Sequence, residues 1–260
     1  SAVQHWDQPI INQPEIGHLG ILTKEFQGTL YFLMQAKVEP GNINRAQLSP
    51  TLQATKSNYS RVHHGRAIPY LEYFANLEAH EVIVDQLQSE QGSRFREKRN
   101  RNTIIKVTGD VPVHSGFKWM TLGQIKTLLK LDNVVNMDTR SVISGIAYHQ
   151  YIQSPSQQER FVASELTKYA SIEAINSLFG YGQSVNTTSE ILSWLTQLKI
   201  ESKLQREPLP LLELTGWVLT PEIIRHQDNK FFDVIGIEIE VNGREVESWS
   251  QPIVRPKQEG

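Results

Sequence analysis

Two stretches of this chain gather residue types able to grip a phosphorylated ligand and move protons. The first, "TLQATKSNYSRVHHGRAIPYLEYF" at 51–74, sets Lys56, Arg61 and Arg66 beside Thr55, Ser57 and Asn58, with Tyr59, His63 and His64 among them. A diphosphate is held by cations, and arginine adds two parallel donors that match its oxygens. The small polar residues suit ligand hydroxyls, and an imidazole titrates near neutrality. The same composition also describes a solvated loop. His63 and His64 make no zinc pair, because neighbours in an extended segment point opposite ways and the chain has no cysteine.

The second stretch, "LQSEQGSRFREKRNRNTIIKV" at 87–107, places Ser89, Glu90 and Gln91 at the end of an apolar run, followed by Arg94, Arg96, Lys98, Arg99 and Arg101. RNA binding would need stacking aromatics between those cations, and only Phe95 is there. A solvated charged face is the plain reading; a nucleotide-sugar diphosphate reached by one arginine, such as Arg99, is the other. Asp138 and Arg140 stand at a candidate helix start, where an aspartate complements the dipole. "FGYGQSV" (179–185) imitates a dinucleotide fingerprint but lacks its third glycine and follows a helix, so no bound nicotinamide is expected. Trp6, Trp217 and Trp249 fall on predicted strands, where an indole serves the core or stacks on a nucleobase.

The elements that must position these residues follow from periodicity and turn chemistry. "HLGILTKEFQGTLYFLMQAKVEP" (18–40) predicts two strands joined at Gln27-Gly28. Segments 48–55 and 81–90 read as further strands, 121–131 as an amphipathic helix and 137–146 as a second one. Residues 148–158 read as a linker, 160–178 as helical, and 186–204 as a long helix opened by capping Thr and Ser. Segments 211–220, 231–242 and 244–254 read as strands, with Asn242-Gly243 a hairpin turn. The order is α+β.

Bulk properties limit the partners. With a net charge of −2 and 21% charged residues, nothing pulls the whole molecule toward nucleic acid or an acidic membrane. No apolar run approaches the roughly 18 residues of a membrane span, and "SAVQHWDQ" is not a signal peptide, so a cytoplasmic protein is expected. No metal site is expected either, given the absence of cysteine and of a spaced histidine pair on a helix.

The chain also repeats itself. Trp6, Gln8, Pro9, Ile10 and Gly17 recur in register as Trp249, Gln251, Pro252, Ile253 and Gly260. Residues 1–147 then read as the later part of one repeat, 148–187 as linker and helix, and 188–260 as the earlier part of a second. The chain is either a window on a longer tandem protein or a domain completed jointly by its two ends. On either view 231–254 should pair with the strands at 18–39 of this chain or a swapped partner. The 188–202 helix should pack beside that sheet through Ile191, Leu192, Leu195 and Leu198.

"QPEIGHLGILTKEFQGTLYFLMQAKVEPGN", "QLSPTLQATKSNYSRVHHGR", "LQSEQGSRFREKRNRN" and "LDNVVNMDTRSV" together resemble the NDP-hexose 2,3-dehydratases of deoxysugar biosynthesis, over 5–147 and again 186–260. The resemblance implies a Nudix-like mixed sheet flanked by helices, built in two tandem copies, without the glutamate-rich box of the Mg²⁺-dependent hydrolases. It implies a cofactor-free hydro-lyase, a homodimer, acting on a dTDP-linked 4-keto-6-deoxyhexose to give a 3,4-diketo-2,6-dideoxy sugar. In that chemistry His63 has the range of a base, Tyr59 is placed to donate to an enolate, and Glu90 serves only with a raised pKa. A non-catalytic nucleotide-sugar binding module, or an incomplete fragment of such an enzyme, is the alternative.

Overall fold

A computed structural model describes residues 6–55, 67–148, 184–204, 206–241 and 246–257, with isolated positions between 154 and 177. The chain divides into two compact units, Ser1–Ile146 with Pro210–Gly260, and Ala147–Leu209. Among the described residues no helix is long and apolar enough to cross a membrane.

The first unit is built on a mixed seven-stranded sheet: β1 (Ile16–Phe26), β2 (Thr29–Val38), β3 (Ala46–Ser49), β4 (Leu52–Ala54), β5 (Glu81–Ser89), β6 (Arg99–Val107) and β7 (Phe117–Thr121). The β1–β2 hairpin closes at Gln27-Gly28, both with positive φ (50° and 76°), the twist a two-residue turn needs between antiparallel strands. β1 runs parallel to β6 and β5 returns antiparallel beside it.

β1 and β2 stay paired only from Leu22 and Leu33 outward to the turn. Beyond that point they fork, and segment 46–54 fills the gap: β3 pairs with β2 while β4 pairs with β1. Pro50 separates the two arms, so the single strand expected over 48–55 is two strands with different partners. Thr51 sits at the apex, its hydroxyl accepting the Leu22 N–H at 2.9 Å and donating to the Leu33 carbonyl. A buried hydroxyl doing both leaves neither strand with an orphaned group.

Apolar residues cover both faces. On one, Phe74 of α1 (Leu71–Ala75) lies against Gly20, where a Cβ would run into its ring, and joins Leu22, Leu33, Tyr70, Ile105 and Phe117 in a buried cluster. On the other lies α3 (Met137–Ser144), which buries Thr139, Val142 and Ile143. α2 (Leu122–Leu128) begins with a Thr121–Gln124 capping box. None of α1, β6 and β7 was expected from the sequence.

The rest of this unit is a four-stranded antiparallel sheet, β8 (Trp217–Leu219), β9 (Ile223–His226), β10 (Phe232–Glu240) and β11 (Ser248–Pro256). Within this chain, therefore, 231–254 pairs with 223–225 rather than with 18–39, because β9, which was not foreseen, supplies the ladder. Residues Leu211–Glu213 form a 3₁₀ turn, and only Trp217–Leu219 of the expected 211–220 strand is extended. Pro252 lies on the outermost strand, where its missing N–H costs no ladder bond. Asn242 and Gly243 lie outside the described residues.

In the second unit α4 (Thr188–Glu201) opens with a Thr187–Glu190 capping box. Along it Ile191, Leu192, Leu195 and Leu198 are exposed, between 39% and 59%.

Candidate active site at the open end of the sheet

The fork leaves one end of the large sheet where the starts of β1 and β6 meet the ends of β2, β4 and β5. Polar side chains collect there. Gln53 donates to Glu39 at 2.6 Å and accepts from Asn136 at 3.1 Å, and Lys37, only 7% exposed, donates to the Gln53 carbonyl at 2.9 Å. From the β5–β6 side, Asn100 donates to Glu90 at 2.7 Å. Asn100 lies over Gly17, where a Cβ would meet its amide oxygen and displace the side chain.

The N-terminus of α3 is delivered to this end by local hydrogen bonds. Leu48 exchanges backbone bonds with Val134 and Asn136, and Asn136 then caps the helix by accepting the Thr139 N–H at 2.8 Å. Arg140 ties the approach down through the carbonyls of Val135 and Leu129. The residues on either side of Asp138 are thereby bracketed: Asn136 touches Gln53, and the Met137 sulfur lies 3.8 Å from the Gln91 amide.

Asp138 is half-buried, and among the described residues its carboxylate accepts no hydrogen bond. Burial, together with the negative charges of Glu39 and Glu90, pushes it up to about 6, against the opposing pull of Lys37 and Lys98. Lys98 is 7% exposed, and burial lowers it despite Glu15, Glu90 and Asp138 nearby. Its ammonium makes one long hydrogen bond, 3.4 Å to the Glu15 carbonyl, among the described residues. A carboxylate with free lone pairs beside a shielded cation with spare donors can take a proton and steady an oxyanion.

A second polar group lies on the opposite face, in an open cleft of about 620 Å³ lined by Ile16, His18, Asp85, Leu87 and Arg101 among others. Asp85 and Arg101 form a two-pronged ion pair at 2.7 Å. His18 meets Thr103 at 2.9 Å and is lowered to about 4, first by burial and then by Arg101, so its imidazole is neutral at physiological pH. Among the described residues no group of three His, Asp or Glu is arranged to hold a metal ion.

Of the residues singled out by sequence, Thr55, Ser89, Glu90 and Arg99 all come to this end of the sheet, on β4, β5 and β6 or one residue beyond. Lys56, Ser57, Asn58, Tyr59, Arg61, His63 and Arg66 lie outside the described residues. Trp217 and Trp249 belong to the other sheet, with their indole N–H groups on the Asp7 carbonyl (2.9 Å) and Gln251 (2.7 Å), while Trp6 is 69% exposed. Sequence reasoning passed over His18, Lys37, Gln53 and Asn100, named Lys98 only within a charged run, and read Asp138 as a helix-dipole residue. The available signal was polar residues at positions where a strand alternates inward, as at Gln53 between Leu52 and Ala54.

Comparison with known proteins agrees with the reading from motifs. The NDP-hexose 2,3-dehydratase family model matches residues 1–146 and 188–260. A dTDP-4-dehydro-6-deoxy-alpha-D-glucopyranose 2,3-dehydratase of Saccharopolyspora spinosa is 45% identical over 259 residues, 100% of this chain and 52% of that protein. One from Amycolatopsis orientalis, with the same name, is 41% identical across 96% of this chain and 47% of its own length. The chain thus spans about half the length of these curated relatives. Among solved structures, a C. elegans Ap4A hydrolase aligns over 56% of this chain and 100% of its own at 8% identity, with a TM-score of 0.32, too slight a likeness to assign a fold. The match along both segments shows that this chain belongs to the NDP-hexose 2,3-dehydratase family.

Proposed function

We propose that this chain carries a 2,3-dehydratase site for a dTDP-linked 4-keto-6-deoxyhexose. The observation that carries the reading is the 45% identity, along the whole chain, to a protein bearing that activity in its name. The C4 ketone acidifies the C3 hydrogen; a base removes it to leave an enolate, and the C2 hydroxyl departs as water with a proton. The enol so formed tautomerises to the 3,4-diketo-2,6-dideoxy sugar. No electron is gained or lost overall, so the chain's own residues need only bind, orient and move protons.

The diphosphate is assigned to Lys56, Arg61, Arg66 and Arg99, and sugar hydroxyls to Thr55, Ser57, Asn58 and Ser89. Tyr59 and His63 are assigned to proton transfer. Supporting this, residues 56–66 follow directly on Thr55, one residue past β4, whose last residue Ala54 lies beside Gly17 and Asn100, the partner of Glu90. The fold is read as Nudix-like in two tandem copies, a reading supported by the recurring Trp-x-Gln-Pro-Ile phrase and the two-segment family match.

The test is to incubate the chain with dTDP-4-keto-6-deoxyglucose and follow loss of one water by mass spectrometry. Water loss dependent on the protein is expected. Binding of dTDP without water loss would overturn the enzyme for this chain and leave a nucleotide-sugar binding module.

A further inference from the structure

Proton abstraction from C3 needs a carboxylate or imidazole that is accessible, short of hydrogen-bond donors and flanked by positive charge for the enolate. Glu90 meets this poorly, because Asn100 already donates to one of its oxygens at 2.7 Å and the Gln91 N–H to the other at 3.3 Å. His18 lies on the opposite face, its imidazole engaged with Thr103. We propose that Asp138 is the base that takes the C3 proton, an inference that rests on the dehydratase reading and adds a residue to it.

Three independent features of the geometry converge on this. Asp138 is presented by a helix start tied to two other segments: 46–54, through the Leu48 backbone bonds and the Asn136–Gln53 bond, and the turn after β5, through the Met137–Gln91 contact. Its carboxylate accepts no hydrogen bond among the described residues, so its lone pairs remain available. Beside it lies Lys98, more than nine-tenths buried with one long hydrogen bond, a shielded cation with donors to spare. A lysine so placed is costly unless something else uses its charge, and an oxyanion growing at the C4 oxygen would do so.

The charged groups facing Asp138 are Glu39 and Lys37 from the end of β2, and Glu90 and Lys98 from the β5–β6 hairpin. Burial first, and then the two acids, make the carboxylate more basic, while the two lysines pull the other way. The step balances simply. The C3–H pair becomes the C3–C4 π bond of an enolate and the proton goes to Asp138; the C4 carbonyl then reforms as the C2–C3 double bond forms and the C2–O bond breaks, and protonated Asp138 returns its proton so that the oxygen leaves as water.

The experiment is Asp138→Asn in the full chain, assayed for turnover, dTDP binding and melting temperature. Turnover should fall about 10²- to 10⁴-fold, with dTDP affinity unchanged within a few-fold. The melting temperature at pH 7.5 should rise by about 5 °C, because an ionised, unbonded carboxylate is removed, and the rise should vanish near pH 4. A residue that merely completed the helix dipole would show a fall in melting temperature instead. Asp138→Glu, with its longer reach, should recover part of the rate. Turnover within threefold of wild type in Asp138→Asn, with water loss intact in the unaltered chain, overturns this inference alone. Failure of the unaltered chain to lose water overturns the dehydratase reading and this role together.

Discussion

Two of the chain's shielded aspartates are pushed in opposite directions by their surroundings. Asp233 on β10 is 2% exposed; burial alone would raise it, but hydrogen bonds from Lys257 and from Arg255 at 2.7 Å outweigh that and hold it below the ordinary carboxylate range. Asp138 has cations near it too, yet it makes no hydrogen bond to them, and two acids share its space. In one region the charge is fully answered and the group serves only architecture. In the other it is partly answered, which leaves it basic. The difference teaches that proximity of a lysine is not what tames a carboxylate; a donated hydrogen bond is.

The same conservative substitution should therefore have opposite signs at the two places. With a folded pKa raised to about 6 against an unfolded value of 3.8, ionised Asp138 costs stability that sets in above pH 4 and is complete above pH 6. Asp138→Asn should thus gain up to roughly 3 kcal/mol at pH 7.5 and nothing below pH 4, as read from denaturant midpoints. Asp233→Asn should lose about 2 kcal/mol at neutral pH, since it strands Lys257 against a buried amide. Because Asp233 is lowered, its contribution is present above the unfolded pKa and fades as the pH falls through the folded one. That loss should shrink in acid while the Asp138 gain also disappears. Parallel responses of the two variants across pH would break the comparison.

A smaller effect tests whether the active end is preorganised. Gly17→Ala forces a methyl into the Asn100 amide and should release Glu90, costing about 1–2 kcal/mol. Asn100→Ala in the same background should add little, because the pair is already broken. The smallest effect lies outside both acidic regions: Thr187→Ala removes the cap of α4 and should cost about 1 kcal/mol of helix stability, seen as a loss of circular dichroism amplitude. It should leave turnover and both aspartates' pH behaviour untouched.

Much of the local structure was legible in advance. Gln27-Gly28 announced its turn because two positive φ values are a property of a dipeptide. The capping Thr and Ser at the start of 186–204 announced a helix because a cap acts within one turn, and in the structure Thr187 is that cap. The motif phrases of the dehydratase family were equally plain, and the family match falls where they stand. These signals are written within a few residues, and the chain needs no tertiary contact to express them.

What the tertiary structure decided is everything that depends on which segments meet. Residues 48–55 alternate like one strand, yet the chain divides at Pro50 because β1 and β2 fork and each needs a new partner. Segment 231–254 reads as ready to join any sheet, and it found β9, whose four residues carried little signal of their own. Asp138 could be recognised from sequence only as an acid at a helix start. Its basicity arises first from burial and then from Glu39 and Glu90, against the pull of Lys37 and Lys98, groups brought from two distant parts of the chain into one poorly solvated space. Dihedral preference is local and so is spelled out in order, whereas dielectric and charge environment sum over neighbours that sequence order does not reveal.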